Sequence, residues 1–228
     1  MAATKHLTFG VILSGCGFRD GSEIHEATLL LLALDRAGVH AVCFAPDMAQ
    51  ARVIDHLTGE AEMTAAPRSV LAESARLARG SIRPLTRLVL EAGTLDGLAF
   101  PGGFGAALNL SDYGQAGARM RVRQEVAVAI EAMHAAQKPQ GFICIAPVLA
   151  ARVLGQHQPR LTIGSDEQTA ADLEAMGAIH VAAPVDGVIV DQQNRLASTP
   201  AYMLAHRISE VERGVTRLVD TLVAMALG

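Results

Sequence analysis

The chain of 228 residues lacks several features that define common classes of protein. It has no tryptophan, its aromatic content is 4%, and 19 Lys and Arg against 23 Asp and Glu leave a net charge of −4. Nucleic-acid-binding domains use basic surfaces and stacking rings, so we expect no nucleic-acid partner. Half of the residues are hydrophobic, which predicts a folded core rather than disorder.

Cysteine is scarce as well. Cys16, Cys43 and Cys144 lie far apart, and no pair of Cys or His residues has the spacing of a zinc site. A disulfide scaffold would need more cysteines in a shorter chain. We therefore expect reduced thiols and no metal.

Long apolar runs are also absent. The most apolar stretch, residues 29–34, is much shorter than the ~20 residues that span a bilayer. The first apolar run ends at Ser14 and Gly15 without the pattern of a secretory signal. These observations predict a cytoplasmic protein with no membrane partner.

What is present is an alternation of short apolar runs with helical patterns. This order predicts parallel βαβ units in one doubly wound domain over residues 1–228. The predicted strands are 7–14, 39–45, 95–100 and 141–143, followed by a hairpin of 188–191 and 195–198. The predicted helices are a first one capped by Asp20 or Ser22 and ending at 36, then 67–79, 121–137, 146–154, 165–176 with Ser165 as N-cap, and 203–226.

Ligands of such sheets bind beyond the carboxyl ends of the strands. Residues 143–147 form one loop there, and Cys144 lies between a strand and a helix whose first amides would lower its pKa. This position indicates a nucleophile, although a single cysteine is often only a small buried hydrophobe. Cys43, inside an apolar strand, is interpreted as core.

Two further loops emerge at the same edge. Residues 101–105 contain Gly102 and Gly103, whose amides could bind a substrate oxygen or could simply form a tight turn. Residues 15–17 contain Cys16, a candidate ligand contact or oxidation partner unless the loop merely requires small residues. Neither GxGxxG nor GxxxxGK[ST] occurs, so no nucleotide cofactor is expected.

Several unlinked motifs carry a resemblance to known families. PGGFGAALNLS, GFICIAP and DGVIVDQQNRLASTPA resemble the PfpI-type branch of the class I glutamine amidotransferase-like superfamily. LSGCGFRDGSEIHEA, DHLTGE, LTIGSD and TPAYMLA are similar to the ElbB family, described as glyoxalase ElbB or as isoprenoid biosynthesis protein with an amidotransferase-like domain. The resemblance covers residues from about Phe9 to Leu222.

The resemblance implies a flavodoxin-like, doubly wound, mostly parallel sheet with helices on both faces and an elbow cysteine at Cys144. In deglycase-like members a glutamate precedes the glycine of an R-A-G segment by twelve residues. Counting back from Gly38 gives Glu26, with Glu23 as the neighbouring alternative on the same helix face.

The chain departs from true amidotransferases in one respect. Those enzymes pair the cysteine with a histidine from a late His-x-Glu segment, which is absent here. His180 is the best remaining candidate for a base, although a histidine there is more simply a surface residue. Glutamine hydrolysis is therefore set aside.

The resulting hypothesis is a cofactor-independent glyoxalase acting on glyoxal or related small 2-oxoaldehydes such as methylglyoxal. Cys144 would add to the aldehyde, amides near Gly103 and Ile145 would bind the oxygen, and Glu26 would move a proton. The alternative is a non-catalytic accessory or redox-responsive protein linked to isoprenoid biosynthesis.

The last helix also predicts an assembly. Leu218, Leu222 and Met225 recur at helical spacing, and together they suggest more apolar surface than one sheet face would cover. We therefore expect a homodimer.

Overall fold

A computed structural model describes residues 6–61 and 67–228. Its strands are β1 (Thr8–Ile12), β2 (His40–Ala45), β3 (Ile82–Pro84), β4 (Gly97–Phe100), β5 (Gln140–Ile143), β6 (Arg160–Leu161), β7 (Ile179–His180), β8 (Ile189–Asp191) and β9 (Leu196–Thr199). Its α-helices are α1 (Ile24–Arg36), α2 (Val70–Leu77), α3 (Leu85–Glu91), α4 (Phe104–Leu108), α5 (Tyr113–Ala116), α6 (Gln124–Ala135), α7 (Pro147–Leu154), α8 (Glu167–Ala175) and α9 (Ile208–Leu227).

The central sheet has seven strands in the order β3-β2-β1-β4-β5-β9-β8. Neighbouring strands are parallel except β8 and β9, which form the predicted antiparallel hairpin. The doubly wound, flavodoxin-like α/β fold is thus confirmed. The chain leaves β1 toward β2 and later returns to the other side of β1 as β4, so the loops after β1 and β4 diverge and open a crevice at the carboxyl edge.

Apolar side chains bury both faces of the sheet. On one face the rings of Phe100 and Phe142 stack with their centroids 4.8 Å apart. On the other face α1 and α9 pack against each other and against the sheet. Gly141 leaves room for α9, since a Cβ there would lie 2.5 Å from a methyl carbon of Leu222.

This packing overturns the premise of the dimer prediction. Leu218, Leu222 and Met225 are all buried within the single chain, against α1 and the sheet. The apolar stripe of α9 is therefore already covered, and these residues give no argument for a second subunit.

The starts of several predicted helices were wrong because other residues cap them. Glu23, rather than Asp20 or Ser22, caps α1, and Asp166, rather than Ser165, caps α8. The last helix begins at Ile208 instead of 203, because the Glu210 carboxylate accepts hydrogen bonds from the amides just before it. Among residues 6–61 and 67–228, every helix is either too short or too polar to span a bilayer.

Candidate active site

Cys144 occupies a strained elbow directly after β5. Its φ is 60°, a left-handed conformation that costs a residue other than glycine about 1–3 kcal/mol. The turn is held by the Cys144 amide, which donates to the Thr199 carbonyl at 3.0 Å on the neighbouring strand. The side chain is 8% exposed. The elbow expected from the sequence is therefore present, with its thiol turned into the protein.

Glu26 lies opposite this thiol, in the first turn of α1. It is fully buried, and its carboxyl group is hydrogen-bonded to the Cys144 thiol. Its two oxygens also accept backbone amides, one from Gly102 at 2.9 Å and one from Tyr202 at 3.2 Å. The carboxyl group is thereby fixed between α1, the loop after β4 and the turn after β9.

Close approach of the chain explains the glycine at position 102. A Cβ there would lie 2.5 Å from the Cβ of Cys144 and 2.6 Å from Oε2 of Glu26. Real Cβ atoms do not come this close, so only glycine lets the loop reach the pair. Because the Gly102 amide donates to Glu26, it is not available to bind a substrate oxygen, and that part of the prediction is wrong.

The two neighbouring amides point at the sulfur. The N–H groups of Gly103 and Ile145 donate to the thiol of Cys144, which lowers its pKa. Gly103 can present its amide in this way because it has φ 91°, and a Cβ there would lie 2.4 Å from the Glu23 amide nitrogen. Both amides therefore lie at the sulfur, and their binding of a substrate oxygen stays a prediction.

Burial dominates the titration of the pair. It raises the pKa of Glu26 to about 8, and the charge of Glu23 adds to that rise. Burial and the Glu26 carboxylate also raise the pKa of the Cys144 thiol, by more than the Gly103 and Ile145 amides lower it. The predicted low-pKa thiolate is therefore wrong for the resting protein. The physical reason is first that burial disfavours a thiolate, and second that an ionised Glu26 would place another negative charge beside it.

Glu23 has a different position. Its carboxylate caps α1 by accepting the Glu26 amide at 2.7 Å, and it is only half-buried. It faces the cavity rather than the thiol. Of the two glutamates proposed from the sequence, Glu26 is the one hydrogen-bonded to Cys144.

A cavity of about 440 Å³ opens above Cys144. Its walls also include five residues that sequence reasoning missed: Phe18, Phe104, Tyr113, Asp166 and Tyr202. These come from separate loops and helices, and only the folded chain brings them together. The motif TPAYMLA contains Tyr202, and LTIGSD ends in Asp166, so the motifs themselves were the available signal.

Other candidates lie away from the cavity. Cys16 does not line it but lies near the charges of Glu73 and Arg76, and burial raises its pKa. His180 belongs to the small β6–β7 sheet and is not part of the cavity wall. Cys43 is buried in β2, where burial raises its pKa to about 11, as expected of a core residue.

Metal ligands do not converge among the described residues. No group of three His, Cys, Asp or Glu side chains there could hold a metal ion.

Comparisons with known proteins place the chain in a family. No family model matches. The chain is 41% identical over 224 residues to the ES1 protein homolog, mitochondrial, of Rattus norvegicus, which covers 94% of this chain and 82% of that protein. It is also 41% identical over 218 residues to human glutamine amidotransferase-like class 1 domain-containing protein 3, mitochondrial, covering 92% and 80%. The chain belongs to the ES1 family of class I glutamine amidotransferase-like proteins.

Solved structures agree with this assignment. An isoprenoid biosynthesis protein with amidotransferase-like domain from Ehrlichia chaffeensis matches with a TM-score of 0.87 and 35% identity, covering 96% of this chain and 99% of that one. A ThiJ/PfpI domain protein from Brachyspira murdochii, 12% identical with a TM-score of 0.60, shares the fold alone. The superfamily expected from the motifs is confirmed, whereas none of these names singles out the ElbB family within it.

The names of the ES1 relatives correct one prediction. The rat and human relatives are both named mitochondrial proteins, which contradicts the expected cytoplasmic localisation. Reduced thiols and a slightly acidic composition do not distinguish one reducing compartment from another, so composition could not decide the point.

Proposed function

We propose that this ES1-family chain is a cofactor-independent glyoxalase that converts glyoxal, and also methylglyoxal, with water to a 2-hydroxy acid. The observation that carries the proposal is the buried Cys144–Glu26 pair, whose cysteine lines a cavity. A nucleophile hydrogen-bonded to a carboxyl group with a pKa of about 8 combines covalent catalysis with a proton carrier that works near neutral pH.

The first step is addition of the thiol to one aldehyde carbon. Glu26, as the carboxylate, takes the thiol proton while the sulfur forms a bond to carbon and the C=O π electrons move to oxygen. The amides of Gly103 and Ile145, which contact the sulfur, are placed to stabilise this oxygen. Glu26 then returns the proton to the oxygen, which gives a neutral hemithioacetal and restores the carboxylate.

The second step moves a hydrogen between the two carbons. Glu26 takes the proton from the carbon bonded to sulfur and passes it to the oxygen of the second carbonyl, which gives an enediol and restores the carboxylate. Glu26 then takes the hydroxyl proton of the first carbon and delivers it to the second carbon, so that the first carbon becomes the carbonyl carbon of a thioester. One carbon is oxidised and the other reduced, so the step needs no external oxidant or reductant.

The third step is hydrolysis. Water adds to the thioester carbonyl, the C–S bond breaks, and the sulfur leaves with a proton as the Cys144 thiol. The product is glycolate from glyoxal or lactate from methylglyoxal. The overall change is the addition of one water molecule.

The redox-responsive alternative is less well supported by the site. Cysteines that react with peroxide are exposed and have low pKa values. Cys144 is buried, and its pKa is raised.

Turnover of glyoxal by the purified protein, without added thiol or metal, tests the proposal. Glycolate formation is expected for the wild type and should be abolished in Cys144→Ser. Cys16→Ser is the matched control, because Cys16 lies outside the cavity wall, and it should retain turnover. A wild-type protein that forms no glycolate would contradict the proposal and favour a non-catalytic role.

A further inference from the structure

The cavity is much larger than glyoxal requires. Its volume of about 440 Å³ falls within the range of about 300–1,000 Å³ found for small-molecule sites. Glyoxal has only four heavy atoms, and each water in the liquid occupies about 30 Å³. The site could therefore hold glyoxal and several waters, or one larger molecule in their place.

The walls suit an apolar group. Phe18 and Phe104 are 44% and 55% exposed where they line the cavity, although large apolar side chains are usually covered. Tyr113, Ile145 and Met203 line the same cavity as Cys144. A flat or branched apolar substituent would cover these exposed rings and displace poorly bound water.

The charges of the wall are all negative. Glu23 and Asp166 line the cavity, and within residues 6–61 and 67–228 no Lys, Arg or His belongs to its lining. Hydrogen bonds from Thr169 lower the pKa of Asp166, so this carboxyl is ionised. Burial and the neighbouring Asp172 carboxylate raise the pKa of Tyr113 to about 12, so its hydroxyl stays neutral.

Positive charge lies behind and around this wall. Glu23 and Asp166 each cap a helix, whose N-terminus contributes about half a positive charge. Three basic residues contact described wall residues from outside the cavity. Arg19 lies 5.0 Å from the centre of the Phe18 ring, the centre of the His56 ring lies 5.4 Å from that of Phe18, and Nδ1 of His25 lies 2.7 Å from the Tyr202 hydroxyl. The charged side chains that line the cavity itself, Glu23 and Asp166, are both acidic.

We infer that the substrate of this site is an uncharged 2-oxoaldehyde bearing an aryl or branched apolar group, and that Glu23 and Asp166 exclude substrates bearing a carboxylate. The inference rests on the proposed function, since it names the substrate class of the same thiol. It also gives a physical reason why an amino acid carboxylate, such as that of glutamine, would be disfavoured here.

Alkylation of Cys144 tests the exclusion of anions without any need for turnover. Iodoacetamide and iodoacetate are similar in size, and in both reactions the thiolate forms a C–S bond while iodide leaves. At Cys144 the rate with iodoacetamide divided by the rate with iodoacetate, measured by mass spectrometry, should be about ten times the same ratio for a neutral cysteine peptide. This factor corresponds to about 1.4 kcal/mol.

Variants identify the source of this ratio. Glu23→Gln and Asp166→Asn keep an oxygen for capping and should each shift the ratio toward that of the peptide. Glu212→Gln makes the same charge change on α9, at a carboxyl that pairs with Arg36, and should leave the ratio unchanged. A wild-type ratio equal to that of the peptide would overturn the inference whether or not the protein is an enzyme.

Substrate comparison tests the apolar preference. The kcat/KM for phenylglyoxal should exceed that for glyoxal, and 4-carboxyphenylglyoxal should be a poor substrate that improves in Asp166→Asn. Preference for glyoxal, or equal use of the carboxylated compound, would overturn the inference. Absence of turnover with all three would instead refute the proposed function, and the substrate class would fall with it.

Discussion

Replacing Glu26 by Gln should change how the stability of the protein depends on pH. The pKa of Glu26 is about 8 in the folded protein, whereas a glutamate in the unfolded chain has its ordinary pKa of 4.5. Between these values the folded chain keeps a proton that the unfolded chain releases, so the stabilisation present below pH 4.5 is lost as pH rises to 8. At about 1.4 kcal/mol per pH unit, the loss over this interval is about 5 kcal/mol.

Gln cannot titrate, so the variant should lack this loss, but it has its own cost. The two carboxyl oxygens of Glu26 accept the amides of Gly102 and Tyr202, whereas Gln offers one oxygen. One buried amide is left without an acceptor, which costs about 1–3 kcal/mol. The variant should therefore be less stable than the wild type near pH 4.5 and about 2–4 kcal/mol more stable above pH 8.

Urea unfolding, followed by circular dichroism at a series of pH values, measures both curves. Glu212→Gln serves as control for the loss of one carboxylate, since the Glu212 side chain is partly exposed and pairs with Arg36 at the surface. The curve of stability against pH for Glu212→Gln should not cross that of the wild type. If wild type and Glu26→Gln give parallel curves across this range, the buried protonated carboxyl is refuted.

Three further outcomes are expected. Glyoxal turnover should rise with pH up to about 8, because the base Glu26 has a pKa of about 8, and a profile that is flat between about pH 6 and 9 would contradict that role. Gly102→Ala should lower the free energy of unfolding by about 1–3 kcal/mol through overpacking, and it should reduce turnover. Gly93→Ala should change neither, because a Cβ at position 93 would have no atom within 4 Å. In alkylation titrations followed by mass spectrometry, Cys16 should react at lower pH than Cys144, whose pKa is raised further; the opposite order would show that burial does not control the thiol.

Local sequence patterns predicted most strands of the central sheet. Alternating apolar runs predicted β1, β2, β4 and β5, and the polar turn after residue 191 predicted the hairpin of β8 and β9. β3 was missed because it is a three-residue strand ending in Pro84. β6 and β7 pair over two residues each, too short for any periodicity to show.

The candidate site was predictable only in part. The elbow and Glu26 could be found because motif spacing fixes their positions along the chain. The raised pKa of Cys144 could not, because it depends on how completely the folded protein excludes water from the pair. Tyr202 and Asp166 contribute through turns that meet only after the sheet has formed, so nothing local marks them as neighbours.

The central claim is that Glu26 moves the proton in a reaction that Cys144 begins. Its most direct test is the kcat for glycolate formation at saturating glyoxal by Glu26→Gln, compared with the wild type and with Glu23→Gln. General acid–base catalysis commonly contributes a factor of about 10²–10⁴, so Glu26→Gln should lose that much and Glu23→Gln distinctly less. A Glu26→Gln protein with the kcat of the wild type, or a greater loss in Glu23→Gln, would contradict the account.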